Sequence, residues 1–264
     1  MNREATDLAG VRHIAHDTLG STNAEAMALA RAGERGPLWI TAARQSAGRG
    51  RLGRGWVSEP GNLYASLLLS DAAPPDRAAE LSFVAALAVR DAVAAATPAL
   101  APRLKLKWPN DLLLAGGKVA GILIEGETTR QGPATVVIGI GVNCASHPAQ
   151  AAFPATDLRA HGSEASAQTL LALLSAALLA RIAQWDRGKG FSAIRRDWLA
   201  AAEGLGQAIR VSDRSRERSG RFSGLDERGR LLLDLPDGTR EVISAGDVFP
   251  LTLRADRHDP LPRS

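Results

Sequence analysis

An α+β fold is expected over residues 1–204, followed by a small all-β module over 205–264. Three observations lead there. Strand-like runs between residues 37 and 142 do not alternate regularly with helices, which argues against a doubly wound parallel sheet. A long apolar helix with a broad buried face is expected at about 77–96, and further helices at about 166–184 and 191–203. Beyond Gly204, short strands near 207–212, 219–225, 230–235 and 240–244 are punctuated by Asp226-Glu227-Arg228-Gly229 and Pro236-Asp237-Gly238. Turns that close together suit a small barrel or sandwich.

Taken in order, residues 1–12 read as a short, frayed lead-in. Thr22 with Glu25 three residues on has the form of a capping box, followed by Ala26, Met27, Leu29 and Ala30 at helical spacing and stopped at Gly33. Pro37 to Ala43 reads as a short buried strand. Asn62–Ser70 is a leucine-rich strand entered through Pro60-Gly61, and Pro74-Pro75 precedes the helix at 77–96. Leu104, Leu106 and Trp108 alternate with Lys105 and Lys107, a half-buried strand by period that places Trp108 in the core. After the break at Pro109-Asn110-Asp111, strands Leu112–Leu114 and Val119–Glu125 form a hairpin through Gly116-Gly117. Ala134–Val142 is a further apolar strand, ending in Gly139-Ile140-Gly141-Val142-Asn143.

Composition narrows the class. The chain of 264 residues is 45% hydrophobic and 23% charged, ordinary for a globular protein with a sizeable core. A single cysteine, Cys144, excludes an internal disulfide framework and suits a reducing compartment. The start MNREATDLAG has no hydrophobic signal core, and no run of about 18 apolar residues occurs. A cytoplasmic protein without a membrane partner is therefore expected. The net charge of +4 and the pI near 9.8 raise the question of nucleic acid. Aromatics are only 4%, with little interleaving of bases' stacking partners among the arginines, so a small anionic ligand is the more economical reading.

The chain's most unusual stretch is 44–56, RQSAGRGRLGRGW, with four arginines, four glycines and no acidic side chain. Glycine lets a backbone approach a ligand closely, and arginine offers a planar fork of donors to phosphate or carboxylate oxygens. Such a loop is expected to be loose when empty and to close on an anion; a merely solvated basic loop is the alternative. Familiar nucleotide signatures fail. Cys144 stands where a dinucleotide fingerprint after Gly139 needs its third glycine, and Val119 follows Gly116-Gly117-Lys118 where a Walker A loop needs Ser or Thr. The five histidines lie singly, so no protein-built metal site is expected.

Four segments remain: Ser21-Thr22-Asn23, the arginine loop, Lys107-Trp108-Pro109-Asn110-Asp111, and Gly117–Glu125 with Lys118. In this order and spacing they resemble the biotin protein ligases, also called biotin–[acetyl-CoA-carboxylase] ligases, and the Gly139–Asn143 segment fits as well. The likeness runs from about Ile14 to the C-terminus. It implies a catalytic core similar to class II aminoacyl-tRNA synthetases and a C-terminal SH3-like β-barrel. It also implies a two-step reaction in which biotin and ATP, with Mg²⁺, give biotinyl-5′-adenylate. The biotinyl group then passes to a lysine of a biotin carboxyl carrier protein.

Carried over by position, the resemblance implies that Ser21, Thr22, Asn23 and Gln45 contact biotin. It implies that Gly48, Arg49, Gly50 and Arg51 form the loop closing over biotin and adenylate, and that Lys118 meets the biotin carboxyl and the α-phosphate. Trp56, Asn110 and Asp111 would line the ATP side, with Asp111 also near Mg²⁺ or the acceptor lysine. Gly121, Ile122 and Asn143 would complete the ligand-binding set, with Lys118, Arg49, Arg51 and Asp111 as the catalytic group. Residue chemistry agrees: a ureido ring needs neutral donors and acceptors, joining a carboxylate to a triphosphate needs fixed cations, and Gly121–Glu125 offers an apolar wall for the valeryl chain.

Read alone, several of these residues have plainer roles. Ser21-Thr22-Asn23 makes a helix cap, Lys118 a solvated turn lysine, and Asp111 a turn residue beside Asn110. Some members of the resembled family carry an N-terminal helix-turn-helix and act as repressors. The catalytic pattern here begins by residue 14, so a monofunctional type without DNA binding is expected, as monomer or homodimer. The rival readings are a lipoate or octanoyl ligase or transferase of the same fold and a basic nucleic-acid-binding module; the full GRGRLGR loop and KWPND disfavour the first.

Overall fold

A computed structural model of the chain describes residues 3–127, 135–151, 153–213 and 216–251. The α+β expectation holds. An eight-stranded sheet runs in the order β1-β2-β3-β4-β8-β7-β6-β5. Its strands are β1 (Arg3–Leu8), β2 (Val11–Leu19), β3 (Leu38–Gln45), β4 (Leu63–Ser70), β5 (Leu104–Lys107), β6 (Asp111–Leu114), β7 (Gly117–Glu127) and β8 (Thr135–Val142). All neighbours pair antiparallel except β2 and β3.

The first two strands correct the reading of residues 1–12 as a frayed lead-in. Arg3–Leu8 pairs with β2, and β2 pairs parallel with β3, setting Ile14 beside Ile40. Only Val11 is fully buried along β2, so side-chain alternation gives little signal. The backbone ladder and the 2.7 Å bond between His13 Nε2 and Thr41 Oγ1 hold it instead.

The two faces of the sheet differ in content because successive residues of a strand point to opposite sides. Trp39, Ala65, Leu67, Ile122, Ile138 and Ile140 face the main core, packed under α2 (Leu81–Ala96), α3 (Ala167–Trp185) and α4 (Phe191–Ala200). Leu38, Ile40, Leu68 and Val137 face α1 (Thr22–Arg31) through Ala26 and Met27. The Trp39 indole donates to Ser175 Oγ at 2.9 Å, and Ser175 Oγ donates to the Leu8 carbonyl at 2.8 Å, which fixes α3 on the sheet.

By length and composition alone, the segment Ala167–Gly188 could cross a membrane, at mean hydropathy 1.4. In the fold, Leu170, Leu171, Leu174 and Leu178 are buried against the core, and Arg181 is paired with Asp91 and Asp197. These are the features of a core helix.

Beyond Gly204 five antiparallel strands take the order β12-β11-β10-β9-β13: β9 (Ala208–Ser212), β10 (Glu217–Leu225), β11 (Leu231–Asp234), β12 (Arg240–Ile243) and β13 (Asp247–Pro250). The four expected strands are present; β13 is an addition. It pairs with β9, far back in sequence, with Val248 beside Val211, so no local hairpin signal announces it. The module is joined to the larger sheet by Trp108, whose Nε1 donates to the Gly229 carbonyl at 3.0 Å. Phe83 lies beneath Gly229, where a Cβ would strike its ring, and packs edge-on to Phe191 and Trp198.

One buried polar group is exposed to a direct test. Glu80 is 3% exposed, accepts from Trp185 Nε1 at 2.7 Å and pairs with Arg77 at 3.0 Å. Glu80→Ala should cost roughly 1–3 kcal/mol in urea denaturation because the Trp185 N–H loses its acceptor, whereas Glu80→Gln should keep most of the stability. Burial raises the Glu80 carboxyl above the ordinary glutamate value, so the folded state holds this proton more tightly than the unfolded chain. Wild-type stability should therefore fall relative to Glu80→Gln as pH rises through the window between the two values.

Candidate active site

The α1 face of the sheet carries the site because that face is emptied of large side chains. Ser66 of β4, Gly139 and Gly141 of β8, and Gly121 of β7 occupy the same side as Leu68 and Val137, where the opposite parity holds isoleucines and valines. Gly121 and Gly141 are cross-strand partners, and the Trp56 indole lies on the floor they form; a Cβ at either would overlap it. A Cβ at Gly139 would strike the Asn23 carboxamide. The resulting cavity holds about 420 Å³.

At one end is a network of hydrogen-bonding side chains, neutral but for the Glu125 carboxylate at its edge. Ser66 is fully buried, and its hydroxyl donates to Asn23 Oδ1 at 2.6 Å and lies 2.8 Å from Thr22 Oγ1. The Thr22 backbone N–H and hydroxyl both donate to Gln45 Oε1, at 2.8 and 3.1 Å. Gln45 Nε2 donates to Ser58 Oγ at 3.0 Å, and Asn23 Nδ2 to Glu125 Oε2 at 2.8 Å. The expected capping box is not formed. Ser21 is the N-cap, makes no side-chain cap bond, and borders the cavity; Thr22 is spent on Gln45 rather than on its own helix. The helix start is used to aim polar groups into the site.

At the other end cations meet carboxylates. Lys118 Nζ lies 2.6 Å from Asp111 Oδ1 and 5.3 Å from the centre of the Trp56 ring. Lys118 is no solvated turn lysine: it lies inside β7 with its side chain 26% exposed. By strand parity it should point into the core with Ala120 and Ile122. A bulge intervenes, since Leu112 faces Ala120 while Leu113 faces Lys118, and Val119 is the extra residue. Val119 and Ala120 are both fully buried, and Lys118 is turned onto the site face.

Asp111 opens β6 and also lies 3.7 Å from Lys107 Nζ, so its turn position serves the site. Lys107 corrects the period reading, which left it on the solvent side: it is 7% exposed, with its ammonium 4.0 Å from the centre of the Phe153 ring. Burial pushes its pKa below the ordinary lysine value, with Asp111 opposing the shift.

The arginine stretch folds back on itself as a hairpin. Gly50 N–H donates to the Arg54 carbonyl at 2.7 Å and Trp56 N–H to the Gly48 carbonyl at 2.9 Å, with Leu52 and Gly53 both at positive φ. Arg49 pairs with Glu125 at 3.0 Å. Arg51 donates to neutral acceptors, Asn110 Oδ1 at 3.1 Å and the Gly246 carbonyl at 3.5 Å, and burial lowers its pKa from the ordinary value. Arg49, Gly50, Arg51 and Trp56 all border the cavity.

Three expected residues contribute differently from a direct wall. Gly48 is packed under the loop, where a Cβ would meet the Trp56 carbonyl and Ser58 Oγ, so it allows the chain to fold back. Ile122 sends its side chain to the core, and its carbonyl accepts from Asn110 Nδ2 at 2.6 Å; on the site face the apolar wall is Gly121 and Leu123. Asn143 borders the cavity but spends its carboxamide on the Thr156 carbonyl at 3.0 Å.

Sequence reading assigned no role to Ser66, Ser58 or Lys107. Ser66 alone had a visible signal, as the one serine inside the apolar run Leu63–Leu69. Among the described residues no group of three or more His, Cys, Asp and Glu could hold a metal ion. Two carboxylates border the cavity there: Asp111 is shared by two lysines, and Asp247 pairs with Arg54.

Known proteins with this sequence and fold are informative. The model of the Biotin/lipoate A/B protein ligase family matches residues 21–143, and that of the Biotin protein ligase C terminal domain matches 204–249. A biotin–[acetyl-CoA-carboxylase] ligase of Paracoccus denitrificans is 44% identical over 235 residues, covering 87% of this chain and 96% of its own. One of Mycobacterium tuberculosis is 36% identical over 240 residues, covering 88% and 86%. The structure of a biotin protein ligase from Aquifex aeolicus in complex with biotin and ATP aligns with a TM-score of 0.75 at 25% identity, covering 90% of this chain and 97% of that one.

The neutral network can be tested without any ligand. Ser66→Ala should lower stability by roughly 1–3 kcal/mol, because Asn23 Oδ1 is left without its buried donor. Ser66→Thr adds a methyl group at a position with no exposed surface and should also lower stability, by roughly 1–3 kcal/mol. Urea denaturation of both variants measures this.

Proposed function

The chain belongs to the biotin protein ligase family, and on that premise we propose how its residues divide the work of ATP-dependent biotinylation. The protein activates biotin with ATP and transfers it to a carboxylase's biotin carboxyl carrier protein. In the first step a biotin carboxylate oxygen attacks the α-phosphorus of ATP and pyrophosphate leaves. In the second, the carrier lysine's amine attacks the acyl carbon, AMP leaves, and the amine's proton is released.

The observation that carries the assignment is the lining of one cavity: the hydrogen-bonding side chains of Thr22, Asn23 and Gln45 on one side, Lys118 and Lys107 around Asp111 on another, and the glycines of β7 and β8 between. Thr22, Asn23 and Gln45, with Ser66 behind them, take the ureido ring, which offers both donors and acceptors. The glycine floor and Leu123 take the apolar body. Lys118 meets the biotin carboxylate and the α-phosphate, relieving the repulsion between two anions brought together. Arg49 and Arg51 close over the mixed anhydride. Magnesium would come bound to the nucleotide's phosphates, because the two carboxylates bordering the cavity are both engaged, Asp111 by Lys118 and Lys107 and Asp247 by Arg54.

Asp111 is assigned two tasks. Before nucleotide binds, it holds Lys118 at 2.6 Å in the orientation the reaction needs. Once the lysine is drawn to the new anion, the freed carboxylate takes the acceptor's proton. The division into a catalytic domain over 1–204 and an SH3-like module over 205–264 is part of the same proposal, supported by the second family match at 204–249 and by the five-stranded antiparallel sheet. We place the reaction in the cytoplasm, where ATP is available and the buried thiol of Cys144 stays reduced.

Two measurements test the assignments. Lys118→Ala should lower adenylate formation about ten- to a hundredfold, the worth of one charge-assisted contact, with an unchanged melting temperature. Pyrophosphate release reads this step directly, and activity within twofold of wild type would remove Lys118 from the mechanism. Arg51→Gly should keep some adenylation yet biotinylate bystander proteins, because a shielded anhydride that now escapes acylates any nearby amine. A streptavidin blot of the carrier domain in excess unrelated protein reports it; labelling confined to the carrier would overturn this role.

A further inference from the structure

The hairpin of the arginine loop is not held by the large sheet alone. Its last two arginines, Arg51 and Arg54, reach Gly246 and Asp247 respectively, at the entry to β13 in the C-terminal module. Arg54 Nη2 lies 2.9 Å from Asp247 Oδ1, and both terminal nitrogens of Arg51 lie 3.5 Å from the Gly246 carbonyl. Gly246 is seated tightly, for a Cβ there would strike Val211 of β9, so the carbonyl's position is set by the module's own sheet. On the same strand Phe249 lies 5.7 Å from the Lys107 ammonium and 4.9 Å from the Arg210 guanidinium.

Of the other carboxylates near the loop, Asp111 is engaged by Lys118 within the larger sheet, while Glu125 of β7 pairs with Arg49 and Glu59 with Arg44 at the loop's base. Asp247 is the carboxylate the C-terminal module brings to this loop. A hairpin with four glycines loses much backbone freedom on closing, so contacts at its far end decide how long it stays shut.

We propose that Asp247 is a positioning residue that latches the arginine loop through Arg54, so that the C-terminal module sets the lifetime of the enzyme-bound intermediate. Asp247 takes no part in forming the anhydride. Opening the loop requires breaking the Arg54–Asp247 pair and the Arg51 contact with Gly246, and a carrier domain that displaces residues 246–247 would open the site as it docks. This inference rests on the ligase reading above.

The test separates release from chemistry. Biotinyl-5′-adenylate is formed on the full-length protein, and its release is followed against excess unlabelled adenylate, with pyrophosphate production measured in parallel. Asp247→Ala and Arg54→Gln should each speed release roughly two- to fivefold, as expected for an ion pair of this exposure, while pyrophosphate production on the first turnover changes less than twofold. Asp247→Glu and the charge swap Arg54→Asp with Asp247→Arg should restore slow release. Wild-type release in both single variants, or failure of the swap to restore it in a folded protein, overturns the latch. Loss of first-turnover pyrophosphate in parallel with release would make Asp247 part of the chemistry and also overturn it. A wild-type protein that forms no adenylate would instead overturn the ligase reading itself.

Discussion

The strict alternation of side chains along β-strands is the constraint on which the site depends. One face of the eight-stranded sheet must bury tryptophan, leucine and isoleucine under three helices, and the other must leave space. Ser66, Gly121, Gly139 and Gly141 occupy the second face in adjoining strands, so the hollow is a property of register. A slip of one residue in β8 would turn Ile138 and Ile140 into the cavity and the glycines into the core. Lys118 has the wrong parity for the site, and the bulge at Val119 corrects it.

The charges are arranged so that each cation has a modest partner before substrate arrives. Lys118 has Asp111, Arg49 has Glu125 and Arg54 has Asp247. The two partly exposed pairs, Arg49–Glu125 and Arg54–Asp247, contribute little to stability, typically about 0.2–1 kcal/mol, and are therefore easily exchanged for a stronger anion. Arg51 differs: it is partly buried, meets neutral oxygens, and is held below its ordinary pKa by desolvation. A phosphate or anhydride oxygen would supply what that guanidinium lacks. The lysines split likewise, since Lys107 sits deeper than Lys118 and supports Asp111 from behind.

The neutral network shows the same economy in another form. Thr22 gives up the capping role its sequence suggests and bonds Gln45, and the helix begins on Ser21 without side-chain help. A missing cap bond costs on the order of 1 kcal/mol of helix stability. Here that loss is offset by burial of Ala26 and Met27 against Leu38, Ile40 and Leu68. Fold and site therefore share α1: its apolar side anchors it, and its first turn carries the polar groups.

Much of this was legible in the residues. The apolar runs that became β4, β8 and α2, the β6–β7 hairpin, whose turn is Ala115-Gly116, one residue before the expected Gly116-Gly117, and the turn-rich strands after Gly204 follow from local periodicity and turn chemistry, which a strand or helix carries with it wherever it goes. The motif residues Ser21 through Asn23, Gln45, Arg49 through Arg51, Trp56, Asn110, Asp111 and Lys118 do border one cavity. What the sequence could not decide is what depends on partners distant along the chain. β2 and β13 are strands because of ladders to β3 and β9, Lys107 is buried because Phe153 lies over it, and Ser66 matters because α1 places Asn23 above it. Local pattern records which face of an element is apolar; only the packed chain decides what that face meets.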